Sequence, residues 1–156
     1  MLRLLLTSSF SALLLASGCH TSKPAGTGPA TTAAPVVVRF ERTPCMGTCP
    51  AFVAEITADG TLRYSGHKFA PKQGDTTARV SAEVVRNIKA EAAAMRFHLM
   101  PADEYGHGMM DAPSAILTID GHVVTCIGGE CPPDLNHLHR YLDREIKTAL
   151  GIEEEQ

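Results

Sequence analysis

Apolar residues occupy every second position along residues 36–41 and again along residues 52–57. A two-residue period of this kind is typical of a strand with one buried face. A turn signal at Asp59-Gly60 then leads into a further alternating segment at residues 62–66. The first half of the chain therefore predicts three strands, and the last two of them form a hairpin.

The turn of this hairpin decides which side chains share a face. A two-residue turn at Asp59-Gly60 sets apolar side chains beside polar ones. A three-residue turn over residues 58–60, with Gly60 at positive φ, pairs Ile56 with Leu62 and keeps the apolar faces together. We therefore predict the three-residue turn.

Apolar residues recur at helical spacing in two later segments. Ser81 has the position of an N-cap before a helix over residues 82–95. Pro132-Pro133 precedes a second helix, which Gly151 is placed to end. The apolar stripe of this second helix consists of Leu135, Leu138, Leu142, Ile146 and Ala149. Each stripe predicts one buried helix face.

A second hairpin is predicted between the two helices. Residues 114–119 and 122–127 flank the two-residue turn signal Asp120-Gly121. The resulting register pairs Ala115 with Cys126 and directs Cys126 to the core. The element order β-β-β-α-β-β-α predicts an α+β fold, a small antiparallel sheet of about five strands with both helices packed on one face. Residues 76–80 are a candidate for one more short strand.

The N-terminal residues have the pattern of a lipoprotein signal peptide. Arg3 precedes an apolar run that ends in Ala16-Ser17-Gly18-Cys19. The run is shorter than the roughly 20 residues that a membrane-spanning helix needs. We expect cleavage after residue 18 and lipidation of Cys19. Because His20 replaces the Asp that often retains lipoproteins in the inner membrane, the outer membrane, facing the periplasm, is the favoured location.

The remaining chain divides by composition. Residues 19–34 are rich in Ser, Thr, Pro, Ala and Gly and predict a flexible tether. Residues 35–150 then form a single domain, and residues 151–156 an acidic tail. The net charge of the whole chain is −3, and no basic patch is interleaved with aromatic residues, so nucleic acid is not expected as a partner. No cofactor motif is present in the sequence.

Four cysteines follow Cys19, namely Cys45, Cys49, Cys126 and Cys131. Outside the cytoplasm, an even number predicts two disulfides, and three pairings are possible. The local pairs close short loops beside Gly and Pro, and each contributes about 2 kcal/mol on the chain-entropy model. The long-range pairings stabilise more but require the two hairpin regions to meet. The local pairing is favoured, and the others stay open.

The spacing Cys-x-x-x-Cys-Pro that begins at Cys45 supports an alternative chemistry. It is similar to the spacing in Sco-type copper-delivery proteins, and copper(I) prefers thiolate, thioether and imidazole ligands. Cys45 and Cys49 are therefore candidate redox or copper residues, with His98 and Met100 as further ligands. The segment precedes a hairpin, however, and not the long helix of a thioredoxin fold. A zinc site built from all four cysteines is disfavoured by an oxidising compartment.

Other polar residues have simpler interpretations. His137 and His139 are two positions apart on the last helix, so they point to different faces, and we predict surface residues. His122 pairs with Ile119 and is predicted at the edge of the core. Three carboxylates in the irregular segment 96–113 are candidate acids or bases with no partner fixed by spacing: Asp103, Glu104 and Asp111.

Residues 42–52, which read RTPCMGTCPAF, resemble the opening of the Domain of Unknown Function 6438 family. Residues 59–66 and Asp111-Ala112-Pro113 are similar to later parts of the same family, so the resemblance covers about residues 36–146. It implies a domain of bacterial, often exported proteins to which no activity is assigned. Cys126 and Cys131 look like additions to the family pattern, and this favours Cys45–Cys49 and Cys126–Cys131 as the two pairs.

These observations lead to three hypotheses. The first is a lipid-anchored, non-enzymatic envelope module that binds an envelope protein or a cell-wall ligand. The second is a periplasmic thiol-redox or copper-handling protein that uses Cys45 and Cys49. The third is an enzyme with residues 96–113 as its active loop. The sequence contains no Gly-x-Ser-x-Gly nucleophile motif and no phosphate-binding glycine loop, which favours the first.

Overall fold

A computed structural model describes residues 34–103, 105–106 and 111–152 of the chain. The predicted signal peptide, the lipidation site Cys19, nearly all of the tether, Glu104 and the end of the acidic tail lie outside the described residues. In chain order, the elements are β1 (Val36–Arg42), β2 (Phe52–Thr57), β3 (Thr61–Gly66), β4 (Gly74–Arg79), α1 (Ala82–Ala94), a short 3-10 helix (Phe97–Leu99), β5 (Ser114–Ile119), β6 (His122–Ile127) and α2 (Pro133–Ala149).

The strands form one antiparallel sheet in the order β4-β3-β2-β1-β5-β6. The predicted α+β class is confirmed, with six strands where about five were expected. The sixth is β4, which overlaps the candidate strand at residues 76–80. Its sequence, GDTTAR, is polar on both faces, so hydrophobic alternation gives little sign of it. A polar strand suits the edge of a sheet, where unpaired backbone groups face solvent.

Both hairpins have the predicted register. Ile56 pairs with Leu62 across a turn in which Gly60 has φ of 82°. In the second hairpin, Ala115 pairs with Cys126, and both turn residues have positive φ. Each register keeps one apolar face continuous, which is why the pattern of the sequence was sufficient to predict it.

The helices begin and end close to their predicted positions. The backbone N–H of Val84 donates to Ser81 Oγ at 3.2 Å, which satisfies one free amide of the first turn of α1. Pro133 occupies the first turn of α2, where its missing N–H costs nothing. Gly151 follows α2 with φ of 70°. None of the helices among the described residues is long and apolar enough to cross a membrane.

Helices and sheet share one hydrophobic core. The inward side chains of the strands, among them Phe40, Leu62 and Leu117, are buried with the stripes of α1 and α2. The opposite face of the sheet is partly exposed and carries charged side chains: Arg39 contacts Glu41 at 2.7 Å and Glu55 at 3.7 Å. Because both helices bury their stripes in this core, they cover the same face of the sheet, as predicted.

Candidate functional site

Two disulfides close short loops at the same end of the sheet. Cys45 bonds to Cys49 in the loop after β1, and Cys126 of β6 bonds to Cys131 just before α2. The Cα atoms are 5.6 Å apart in both pairs. These are the local pairs that the sequence favoured, and neither disulfide joins one hairpin region to the other.

The Cys45–Cys49 loop is anchored to the sheet on both sides. Before the loop, the Thr43 N–H donates to Ser114 O at 3.0 Å, and the Ser114 N–H donates to Thr43 Oγ1 at 2.7 Å. After it, the Ala51 N–H donates to Lys68 O at 3.1 Å. With both ends fixed and a disulfide between them, the loop has little conformational freedom left to lose on binding.

The same loop presents an apolar side chain to solvent. Met46 is 85% exposed, the highest exposure among the exposed large hydrophobic residues in the described part of the chain. Next to the loop lies a groove of about 270 Å³ whose apolar lining includes Pro50, Phe52, Pro71 and Pro113. We call the loop and the groove together the disulfide-loop surface.

An ion pair borders this surface and ties β1 to α2. The Arg42 guanidinium donates to Asp143 Oδ2 at 2.5 Å, and both side chains are less than one-third exposed. The guanidinium carbon of Arg42 also lies 4.9 Å from the centre of the Phe40 ring. These charges are therefore already paired within the chain, and the apolar lining remains for a ligand.

The alternative copper ligands do not come together. Cys45 and Cys49 follow β1 at the sheet end where Arg42 pairs with Ala115. His98 instead lines a pocket with Asp120 and His122 at the β5–β6 turn, the opposite end of β5. The structure thus does not bring His98 to the cysteines of the predicted set Cys45, Cys49, His98 and Met100. Sequence spacing could not show that His98 lies far from the cysteines, because His98 is in an irregular segment whose path the hydrophobic pattern does not predict.

A different group of potential ligands does converge. Within the described residues, one set of three or more His, Cys, Asp or Glu side chains is close enough to share an ion, and it consists of Cys126, Cys131 and His139. Their ligand atoms all lie within 4.8 Å of one another. His139 Nδ1 is 3.8 Å from Cys131 Sγ. In the structure the two cysteines are joined as a disulfide.

The prediction that His139 is a surface residue is wrong. It is only 2% exposed, and its ring lies 5.2 Å from the ring of Phe40, centre to centre. The signal was present in the sequence: His139 follows Leu135 by four residues and precedes Leu142 by three, which puts it on the buried stripe. His137, two positions away, is exposed as predicted.

Burial also sets the chemistry of His139. Desolvation, followed by the positive charge of Arg42, lowers its pKa from 6.5 to about 3. The ring is therefore neutral near pH 7. Its Nε2 has no hydrogen-bond partner among the described residues, and such a buried orphan costs about 1–3 kcal/mol. A neutral imidazole beside two sulfurs is a ligand set that zinc and copper favour.

The remaining candidates have structural surroundings. His122 contacts Met100 O through Nε2 at 2.9 Å and meets the edge of the Phe97 ring, so it lies at the edge of the core as predicted. Asp103 and Asp111 are exposed. Neither belongs to the one group of potential metal ligands found among the described residues.

The described residues define a class, a two-layer α+β domain with two short disulfide loops. A family model described as a domain of unknown function, DUF6438, matches residues 36–146. That match covers well over half of the chain, and the chain belongs to this family. No curated protein matches the sequence.

Proposed function

We propose that this protein is a lipid-anchored module of the cell envelope that binds an envelope protein through the disulfide-loop surface. One observation carries the binding role: Met46 is held 85% exposed in a loop that a disulfide closes and the sheet anchors on both sides. Methionine and aromatic side chains are enriched at the centres of protein interfaces. A rigid loop loses little entropy when it binds.

The envelope location is supported by the N-terminal pattern and by the disulfides. Residues 4–19 have the layout of a lipoprotein signal, with Cys19 as the acylated residue. Two disulfides in a small domain suit an oxidising compartment, because cytosolic thiols are kept reduced. A tether of residues 19–34 gives the domain reach from the membrane.

The chemistry of the surface favours a protein over a polysaccharide. Its lining is mostly apolar, with three prolines. The charged lining residues are Lys147 and the Arg42–Asp143 pair, whose members bind each other. Sugar polymers are usually held by stacking on aromatic rings, and this chain has no Trp. A partner that presents an apolar side chain to the groove fits this surface best.

Site-specific photocrosslinking in the source cells tests the proposal. A photoreactive amino acid at position 46 is expected to give one discrete adduct with another protein. The matched control is position 99, because Leu99 is also apolar and exposed but lies after α1, in the short 3-10 helix. Opening the loop with Cys45→Ser/Cys49→Ser should reduce the adduct. Equal adducts at both positions, or none at position 46, would refute the binding surface.

A second candidate function is thiol exchange at Cys45–Cys49. The observation that favours it is the Gly47 N–H, which donates to Cys45 Sγ at 3.2 Å and would stabilise a thiolate there. Incubation with a dithiol donor under envelope-like conditions separates the two functions. Rapid, reversible exchange at Cys45 supports the redox role, whereas a pair that stays oxidised excludes it.

A further inference from the structure

Among the described residues, a buried histidine groups with the cysteines of one disulfide, Cys126–Cys131, and none groups with the cysteines of the other. The first disulfide, Cys45–Cys49, lies in a partly exposed loop. The second joins Cys126, which is 1% exposed, to the partly buried Cys131, with His139 Nδ1 3.8 Å from the Cys131 sulfur. Two loops of nearly equal length therefore have different surroundings. The stabilisation that a disulfide gives by restricting the unfolded chain depends on loop length, so it does not explain why only one pair lies beside the histidine.

We propose that reduction of Cys126–Cys131 converts this cluster into a zinc site with Cys126 Sγ, Cys131 Sγ and His139 Nδ1 as its ligands. This inference does not depend on the disulfide-loop surface or on its partner. It assigns a second, separate site to the chain, built on β6, the loop before α2, and α2 itself.

The geometry needs only a small change to accept the ion. Tetrahedral zinc with bonds of about 2.3 Å to sulfur and about 2.0 Å to nitrogen holds its ligand atoms roughly 3.5–3.8 Å apart. His139 Nδ1 and Cys131 Sγ are already separated by 3.8 Å, and all three ligand atoms lie within 4.8 Å. The main movement is the separation of the two sulfurs once their bond is broken.

The protein positions two of the three ligands on regular elements. Cys126 is fixed by its register opposite Ala115 in the sheet. His139 is held on α2 against Phe40. The side-chain amide of Asn136 donates to Cys131 O at 3.1 Å and ties the loop to the first turns of the helix. Ligands on a strand and a helix are held more precisely than ligands on loops alone.

Charge and polarity favour zinc at this place. Two thiolates and a neutral imidazole balance the two positive charges of Zn²⁺, so the buried site is neutral. Copper(I) with the same ligands leaves one negative charge in the core, which is unfavourable. Ligation also gives His139 Nδ1, which now faces a disulfide sulfur, a strong partner. Three protein ligands leave one tetrahedral position for water or a small thiol.

The redox step needs a dithiol reductant. The reductant transfers two electrons to the Cys126–Cys131 bond, which breaks, while its own two thiols become a disulfide. Its two protons pass to the sulfurs of Cys126 and Cys131. Zn²⁺ displaces both protons when it binds the thiolates. Cys131 is the partly exposed sulfur through which the reductant reaches the bond.

Metal titration of the full chain tests the site. The protein is reduced with a phosphine, the phosphine is removed under argon, and Co²⁺ is added as a spectroscopic probe before Zn²⁺. We expect one equivalent of Co²⁺ with sulfur-to-metal charge-transfer absorption, displaced by Zn²⁺, and no such binding to the oxidised protein. Zn²⁺ should also raise the Tm of the reduced protein and leave that of the oxidised protein unchanged.

The chain provides its own matched control. Cys45→Ser/Cys49→Ser removes the other disulfide and should retain one equivalent of metal, while Cys131→Ser should abolish it. His139→Gln should weaken binding at least about tenfold, since even outer partners of metal ligands contribute that much. Circular dichroism of the oxidised His139→Gln variant checks its fold. The proposal is overturned if reduced wild-type protein binds no stoichiometric metal, if Cys131→Ser still binds it, or if His139→Gln binds equally well.

Discussion

The imidazole of His139 lies against the phenyl ring of Phe40, with the ring centres 5.2 Å apart and the planes inclined by 31°. This contact joins α2 to the central strand β1. Phe40 is fully buried and His139 nearly so, which places a titratable group inside the core of a small domain. The burial of this one ring has consequences for stability as well as for ligand binding.

The first prediction concerns acid sensitivity. Burial lowers the pKa of His139 from 6.5 to about 3. Between these two pH values, His139 is therefore protonated in the unfolded chain and neutral in the folded protein. The stability that depends on His139 is therefore complete above pH 6.5 and is lost as the pH falls towards 3. The loss is about tenfold in the folding equilibrium for each pH unit.

Urea unfolding of the oxidised protein between pH 7 and pH 4 measures this effect. His139→Gln should flatten the pH dependence, because glutamine does not titrate. His137→Gln is the matched control, since His137 lies on the same helix and is exposed. Identical pH slopes in wild type and His139→Gln would show that the histidine is not responsible.

The second prediction compares two turn glycines. Gly60 and Gly121 both have positive φ, of 82° and 87°. A Cβ at Gly60 would lie 2.5 Å from Val80 O, whereas one at Gly121 meets nothing within 4 Å. Gly121→Ala should lower the free energy of unfolding through backbone strain alone, by about 1 kcal/mol. Gly60→Ala adds a steric clash and should cost roughly 2–4 kcal/mol. Thermal unfolding checks the order, and equal costs would contradict the close approach of Val80, just after β4, to this turn.

The third prediction concerns the ion pair between Arg42 and Asp143. Because both side chains are partly buried and the contact is 2.5 Å, a double-mutant cycle with Arg42→Met and Asp143→Asn should give a coupling of about 1 kcal/mol. Lys89 and Asp120, whose side chains are 41% and 56% exposed, serve as the control pair, with a coupling near zero. A coupling at Arg42–Asp143 no larger than that of the control would mean that the pair does not fasten β1 to α2.

The fourth prediction concerns the first hairpin turn. Asp59 accepts hydrogen bonds from Thr57 Oγ1 at 2.5 Å and from the Thr61 N–H at 3.1 Å, and these lower the pKa of its carboxyl from 3.8 to about 2. The resulting stability is present above pH 3.8 and is lost as the pH falls to 2. Asp59→Asn should lower the Tm at pH 7 and weaken the further loss between pH 4 and pH 2, whereas the exposed Asp103→Asn should change neither. An Asp59→Asn protein with the wild-type acid profile would disprove this role.

The sequence predicts those strands and helices that bury one apolar face in the core. A strand such as β3 alternates strictly, and a one-residue slip would expose its whole apolar set, so its register follows from the sequence. The edge strand β4 has no such face, and backbone pairing with β3 places it. Its existence depends on contacts that hydrophobic periodicity does not encode.

The candidate site likewise has one part that the sequence predicts and one part that it does not. Local disulfides such as Cys45–Cys49 follow from short spacing. The cluster of Cys126, Cys131 and His139 requires α2 to pack across β1 and β6, a tertiary relation. The surface prediction for His139 rests on its two-residue spacing from His137, although its position on the helix places it between Leu135 and Leu142. Helical position was the stronger signal here.

Intact-mass spectrometry of protein isolated from cell membranes under thiol-blocking conditions examines export, the lipid anchor on Cys19 and the two closed disulfides in one experiment. We expect a chain that begins at an acylated Cys19 and in which Cys45, Cys49, Cys126 and Cys131 all escape alkylation. A chain that retains residues 1–18, carries no acyl group and is alkylated at these four cysteines would contradict it.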